Sequence, residues 1–307
     1  MEMIKLDQIR KIYRNGTVAN DNITLKVTEG DILGVVGANG AGKTTLMRVI
    51  SGLSRQTSGD VTVGNLRPNS RREHTARLIS FFSQKTASIQ SQRAFEVVYF
   101  TGIYRGLSRT EAREQAAELM EYFGLSALSK RYLNELSGGQ EKLVMLAGAF
   151  IGNYPIVILD EPTNDLDPVN RWQLWDLVKE RNEKYHTTFL IVSHNMSELE
   201  SIARTAVIVH EGRVADAGGI QSLKEKYSKG YRVSLKCDRD DVEGIAREIG
   251  LPHTIDNHSE VIVQIGSDQI ADLLPRLTAF APKCEIRIYR NTLYDVFHAV
   301  REESIHA

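Results

Sequence analysis

The run Gly37-Ala38-Asn39-Gly40-Ala41-Gly42-Lys43-Thr44 constrains this chain more than any other segment, because of what flanks it. Upstream, Asp31 to Val36 reads as a short buried strand; downstream, Thr44 to Ile50 carries apolar residues at helical spacing. A glycine-rich turn from buried strand into helix is the context in which G-x-x-x-x-G-K-[ST] binds phosphate. The glycines let the backbone turn tightly, so that N–H groups from Gly40 to Thr45 can point at phosphate oxygens. The positive end of the helix adds to the same place. Lys43 is expected to reach the outer phosphates and the Thr44 hydroxyl to hold magnesium. Gly37, Asn39, Gly40, Ala41, Gly42, Lys43, Thr44 and Thr45 are the expected nucleotide-binding set.

A second element supports the first. Ile156-Val157-Ile158-Leu159 is a continuous apolar run, the mark of a strand buried on both faces of a parallel sheet. It ends in Asp160-Glu161, at the sheet edge where phosphate loops sit. Asp160 is placed to hold Mg2+ through water. Glu161, one step further, is placed to orient or deprotonate the attacking water, a role worth about 10²–10⁴-fold in rate. Read alone, the pair also fits a solvated acidic turn before Pro162. The strand Thr188 to Ser193 ends in His194, on the same edge and in reach of a terminal phosphate; read alone, a histidine there is a surface or packing residue. Gln84 follows the apolar stretch Leu78 to Phe82 in the same way.

Bulk properties exclude several classes. A chain of 307 residues is long for one domain, and one large plus one small domain is expected. A formal net charge of −1 argues against a dominant nucleic-acid role, which needs a basic face. The long uncharged run Leu143 to Leu159 contains Gly148, Gly152, Asn153 and Pro155, so it reads as helix, turn and strand rather than a membrane span. The N-terminus has no apolar signal core. Two cysteines, Cys237 and Cys284, suit a reducing cytosol. A cytoplasmic location is expected.

The run Leu136-Ser137-Gly138-Gly139-Gln140 resembles the signature sequence of ATP-binding cassette ATPases, and it falls after the phosphate loop and before Ile158-Leu159-Asp160-Glu161-Pro162 as in that family. The resemblance covers about residues 1–222 and implies an α/β phosphate-loop NTPase cassette with ATP and Mg2+ as ligands. It implies that Tyr13 stacks on adenine, that Gln84 links magnesium to a transmembrane partner, that Glu161 is the catalytic carboxylate, and that His194 is a switch histidine. Asn164-Asp165-Leu166-Asp167 would be the loop touching a second subunit, with Asp167 a dimer contact. Ser137, Gly138, Gly139 and Gln140 precede a helix expected over Glu141 to Phe150, a second anion-binding geometry. Two chains head to tail would bring signature and phosphate loop onto one nucleotide under a two-fold axis. A homodimer is therefore expected, peripheral at the cytoplasmic membrane face through a separate transmembrane permease. Departures from the family pattern fall at Glu141-Lys142, at Leu146 to Ala149, where basic residues are missing, and at Asn164-Asp165; they bear on turnover and dimer affinity.

Between about residues 85 and 136 the pattern turns helical. Ala94 to Tyr104 is one helix; a second starts at Ser108, with Glu111 completing a capping box, and turns Ala112, Leu119, Met120 and Phe123 inward. Family likeness makes this the subdomain that receives a membrane subunit. Phe95, Val98 and Tyr99 either line that groove or form the insert's own core. Residues 223–230 read as a polar linker. From Tyr231 to Ala307 the order is strand, helix, hairpin, helix, strand, a small α+β ferredoxin-like domain closed by an amphipathic helix from Leu293. Pro275 is expected to kink or shorten the second helix. Asn291 to Phe297 is similar to the closing segment of the type-2 exporter branch, which serves drugs, antibiotics and bacteriocins. The expectation is an export ATPase; an importer cassette, or a soluble cassette acting on a macromolecular assembly, are the alternatives.

Overall fold

The computed structural model describes residues 1–70, 72–83, 91–227, 230–237, 242–251, 253–255, 260–266 and 269–306. Two compact units result, Met1–Gly218 and Gly219–Ala307.

The first unit opens with β1 (Glu2–Ile12) and β2 (Val18–Thr28), which pair antiparallel with Leu6 opposite Leu25 and Ile9 opposite Ile23. The fully buried β3 (Ile32–Gly37) delivers the chain through the phosphate loop into α1 (Lys43–Ile50). There follow β4 (Ser58–Val63), antiparallel to β1, then α2 (Arg72–Leu78) and β5 (Ile79–Phe82). The insert comprises α3 (Ala94–Tyr104), α4 (Arg109–Tyr122) and α5 (Gly138–Phe150). The chain returns through β6 (Ile156–Asp160), α6 (Pro168–Tyr185), β7 (Thr188–Val192), α7 (Met196–Ile202), β8 (Thr205–His210) and β9 (Arg213–Gly219). The large sheet runs β5-β6-β7-β3-β8-β9 and is parallel from β5 through β8.

Every residue of β6 and β7 is buried, which is why these strands read as unbroken apolar runs. One core joins the antiparallel layer, the parallel sheet and α1: Ile4, Leu6, Ile9, Ile23, Leu46, Met47, Val49 and Ile50 are all fully buried. Each such side chain contributes about 1.5–3 kcal/mol relative to exposure, so the turn between β3 and α1 rests on a rigid floor.

In the insert, Ser108 caps α4 as its sequence demands: its hydroxyl accepts from Glu111 N–H, and the Glu111 carboxylate accepts from Ser108 N–H. Val98 is fully buried and belongs to the insert's core, whereas Phe95 and Tyr99 stack at 6.1 Å nearer the surface.

The second unit starts with α8 (Ile220–Tyr227), where the sequence predicted a polar linker. Ile220 and Leu223, one turn apart, are buried, and that narrow stripe is enough to fold the segment against the last helix. Beyond it lie β10 (Tyr231–Cys237), α9 (Val242–Ile249), β11 (His253–Ile255), β12 (Glu260–Ile265), α10 (Ile270–Phe280), β13 (Cys284–Arg290) and α11 (Leu293–His306). The sheet order β11-β12-β10-β13 is the ferredoxin-like arrangement. Val233, Leu235, Val261 and Val263 face Ile245, Ile249, Leu273 and Leu277 in one core. Helix α10 continues past Pro275, keeping Leu277 and Phe280 buried. Cys237 and Cys284 are direct cross-strand partners, and neither is in a disulfide. Among the described residues no helix is long and apolar enough to cross a membrane.

Candidate nucleotide site

The edge where β3, β6 and β7 end in the first unit carries a cleft of about 590 Å³. Of the residues expected from sequence, Tyr13, Asn39, Gly40, Ala41, Gly42, Lys43, Thr44, Thr45, Glu161 and His194 line it. Gly37 sits behind the wall and supplies a carbonyl to Lys43. Gln84 lies outside the described residues.

The loop has room for no side chain at its hinge. Gly42 takes φ of 97°, and a Cβ there would lie 2.1 Å from the Ala19 carbonyl oxygen. Asn20, fully buried, donates through Nδ2 to the Gly42 carbonyl at 3.2 Å and braces the turn from β2. Lys43, 6% exposed, folds its ammonium onto the loop, donating to Gly37 O at 2.7 Å and Ala38 O at 2.9 Å. Burial pushes its pKa down, while the charges of Glu161 and Asp160 oppose that shift. An anion entering the loop would exchange those two neutral acceptors for charged ones, adding direct attraction between opposite charges in a partly buried site.

Thr44 Oγ1 donates to Asp160 Oδ1 at 3.2 Å, so the hydroxyl and the carboxylate are already side by side. Asp160 is 2% exposed; burial holds its carboxyl above the usual carboxylate range, the Thr44 hydrogen bond lowers it, and the neighbouring Glu161 raises it again. Two hard oxygen donors beside a phosphate loop suit Mg2+, which keeps most of its shell as water and phosphate oxygen. No cluster of three or more His, Cys, Asp or Glu side chains that could form an all-protein cage is found among the described residues.

Glu161 has φ of 51°, uncommon for a residue with a side chain. Its N–H donates to Val192 O at 2.9 Å, and Oε2 lies 2.8 Å from His194 Nδ1. A carboxylate only accepts, so that ring nitrogen carries the hydrogen. On the far wall the Tyr13 hydroxyl meets Thr45 Oγ1 at 3.1 Å, and Lys11 Nζ stands 5.2 Å from the centre of the Tyr13 ring.

The signature is absent from this cleft. Ser137 is the N-cap of α5, which begins at Gly138, three residues earlier than predicted. The Ser137 hydroxyl accepts from Gln140 N–H at 3.3 Å, and Ser137 N–H donates to Gln140 Oε1 at 3.1 Å. Serine followed three residues on by glutamine is a capping box, and it was the sequence signal for this boundary. Ser137 and Gly138 are exposed, and the Ser137 hydroxyl keeps its proton to donate outward. Asp167 also sits outside the cleft: it caps α6, accepting from Asn170 N–H at 3.0 Å and from Asn170 Nδ2 at 2.5 Å. Those bonds hold its carboxyl below the usual range. Thr17, Val18 and Ala19, at the entry to β2, line the cleft without having been foreseen, and Asn164, expected in the loop touching a second subunit, lines it as well.

A phosphate loop, a hydroxyl–carboxylate pair and a Glu161–His194 pair on one parallel-sheet edge, with a signature helix elsewhere, define a nucleotide-binding cassette. The sequence profile of the ABC transporter family matches residues 20–164. The chain is similar to the methionine import ATP-binding protein of Geobacillus kaustophilus, 34% identical over 225 residues, 71% of this chain and 66% of the relative. It is 30% identical over 248 residues to the methionine import protein of Staphylococcus haemolyticus, 78% of this chain and 72% of that one. A dimeric ATP-binding cassette in a post-hydrolysis state, bound to ADP and Pi, is 27% identical with a TM-score of 0.66 over 71% of this chain and 98% of that one. The chain belongs to the ABC transporter family, as its ATP-binding cassette. It spans slightly less than two thirds of the length of the Geobacillus relative. Both relatives are import proteins, so the exporter expected from Asn291 to Phe297 finds no support in them.

Proposed function

We propose that this chain is the ATP-hydrolysing subunit of an importer, driving a separate membrane permease by closing and opening a pair of cassettes. The observation that carries hydrolysis is the convergence of Lys43, Thr44 and the Glu161–His194 pair in one cleft, with Asp160 directly behind Thr44. The importing relatives favour inward transport over the export expected from the tail.

In this reading Lys43 leaves Gly37 O and Ala38 O for the outer phosphates of ATP. Thr44 and Asp160 would hold Mg2+, which neutralises charge on the β- and γ-phosphates. His194 keeps the Glu161 carboxylate aimed through its Nδ1–H; Glu161 then orients the attacking water and takes its proton. The exposed Ser137 hydroxyl and the amides of Gly138 and Gly139 would meet the γ-phosphate of a second copy's nucleotide. Each charge-assisted hydrogen bond of that kind contributes about 1.5–3 kcal/mol, so loss of the γ-phosphate releases the pair. The dimeric relative holding ADP and Pi supports a two-copy cycle. The location implied is peripheral, on the cytoplasmic face of a membrane.

The test is size-exclusion chromatography with light scattering on Glu161→Gln. The expected result is a monomer without nucleotide and a dimer with ATP and Mg2+, together with hydrolysis lowered by about 10²-fold or more. Near wild-type turnover would remove Glu161 from this role. Co-purification of a multi-span membrane protein, with substrate leaving the lumen of inside-out vesicles on ATP addition, tests the importer; accumulation inside those vesicles would reverse the direction.

A further inference from the structure

Lys142 lies on α5, one turn beyond the signature, and its ammonium reaches off that helix to two backbone carbonyls. It donates to Glu161 O at 3.0 Å and to Asn164 O at 2.5 Å. The first belongs to the residue that faces this chain's own nucleotide cleft; the second opens the Asn164 to Asp167 loop. A second observation joins the same pieces: a Cβ on Gly139 would stand 3.5 Å from Asp165 O, so the signature backbone itself rests on that loop. Lys142 is half-buried, with its ammonium 5.9 Å from the centre of the Phe82 ring.

The mechanical need is local. Glu161 holds a left-handed backbone conformation that a side-chain-bearing residue adopts only when its surroundings impose it. Two contacts fix its peptide units: its N–H on Val192 O, and its carbonyl under Lys142. A rotation of α5 as the signature grips a nucleotide therefore pulls on the Glu161 carbonyl, and through it on the direction of the carboxylate. A helix and a loop joined by a half-buried cation move together or break the bond, and water substitutes less readily there than at an exposed site.

We infer that Lys142 is a positioning residue that couples the two composite sites, transmitting signature engagement of the partner's nucleotide to this chain's own Glu161. The inference rests on the two-copy closure proposed above. Lys142 contacts no phosphate in it; the residue acts only through the Glu161 and Asn164 backbone.

The test compares wild type with Lys142→Met, which keeps length and loses the donors, and Lys142→Arg, which keeps donors and charge. ATP affinity, kcat and the Hill coefficient for ATP are measured on the full chain. For Lys142→Met we expect ATP affinity close to wild type, kcat lowered on the order of 10–100-fold as a misaimed catalytic group produces, and a Hill coefficient falling toward unity. Lys142→Arg is expected to recover most of both. Unchanged kcat and Hill coefficient in a folded Lys142→Met overturn the inference, as does a kcat loss that comes with equal loss of ATP affinity and intact cooperativity. If Lys142→Met fails to fold, Lys142→Arg decides: loss of cooperativity despite retained donors and fold overturns it. A wild type whose Hill coefficient is already unity, or whose Glu161→Gln variant does not dimerise with ATP, removes the closure itself; normal closure with an indifferent Lys142 removes only the coupling role.

Discussion

Burial works against the charged forms of two residues at the nucleotide site, Asp160 and Lys43. Asp160 is buried with its carboxyl held above the usual carboxylate range, so the folded chain binds that proton more tightly than the unfolded one. A raised folded-state pKa contributes stability fully below the unfolded value of about 3.9 and loses it as pH rises through the folded value. Ionised Asp160 therefore weakens the nucleotide-free fold at neutral pH. Asp160→Asn is expected to raise the Tm at pH 7, by an amount worth about 0.5–2 kcal/mol as relief of a strained functional site commonly gives, with the gap to wild type narrowing toward pH 4. The same variant should lose Mg2+-dependent hydrolysis. A lower Tm at pH 7 would show that the Thr44 hydrogen bond outweighs burial. Lys43→Ala acts oppositely: it removes a cation that phosphate would satisfy, and ATP binding should weaken by about 1.5–3 kcal/mol, on the order of 10–100-fold, in a direct titration. Unchanged affinity would sink the phosphate-loop assignment.

At the scale of elements, what the sequence shows plainly is what short local patterns encode. The strands under the site are continuous apolar runs because both faces are buried, and α4 begins where a capping box says so. Two boundaries were easily misread, for physical reasons. Consecutive glycines at 138 and 139 look like a break, yet their N–H groups cost little to fix once Ser137 and Gln140 cap each other. The helix from Ile220 to Tyr227 carries only two buried residues among charged ones, too thin a stripe to stand out from a linker. Tertiary braces such as Asn20 on the Gly42 carbonyl, or Lys142 on Glu161, have no local signature at all, since their partners lie in another strand or loop. Packing of the insert is testable at one position. Gly102 lies where α3 meets α4 and the end of α5: an added Cβ would sit 2.8 Å from Ile151 Cδ1 and 3.1 Å from Ala112 Cβ. Gly102→Ala should cost about 1–3 kcal/mol in denaturant unfolding through overpacking, while ATP affinity stays near wild type. A neutral or stabilising result would mean that Ile151 swings aside and that helix propensity outweighs the crowding.

For the whole molecule, the proposed closure has one decisive consequence: each chain would carry both halves of a site that only a second copy completes. The cleft holds Lys43, Asp160's partner Thr44 and Glu161, and none of Ser137, Gly138, Gly139 or Gln140. A ligand that merely occupied the cleft would stabilise a monomer by RT ln(1 + [L]/Kd), about 2.7 kcal/mol at a hundred times Kd, irrespective of protein concentration. A ligand that also joins two chains adds a mass-action term in the protein itself, so the Tm of the bound form must rise as the protein is concentrated. The Glu161→Gln variant with ATP and Mg2+ is accordingly expected to show a Tm that climbs with protein concentration; with ADP the dependence should vanish, because the γ-phosphate bridging the two chains is missing. Lys43→Ala should show a smaller ligand shift at the same ATP concentration, and a correspondingly weaker dependence on protein concentration. Scanning calorimetry over a tenfold range of protein concentration reads all three. A large ATP shift with no concentration dependence would leave nucleotide binding intact and reject closure between copies of this chain, placing the signature's partner on a different cassette.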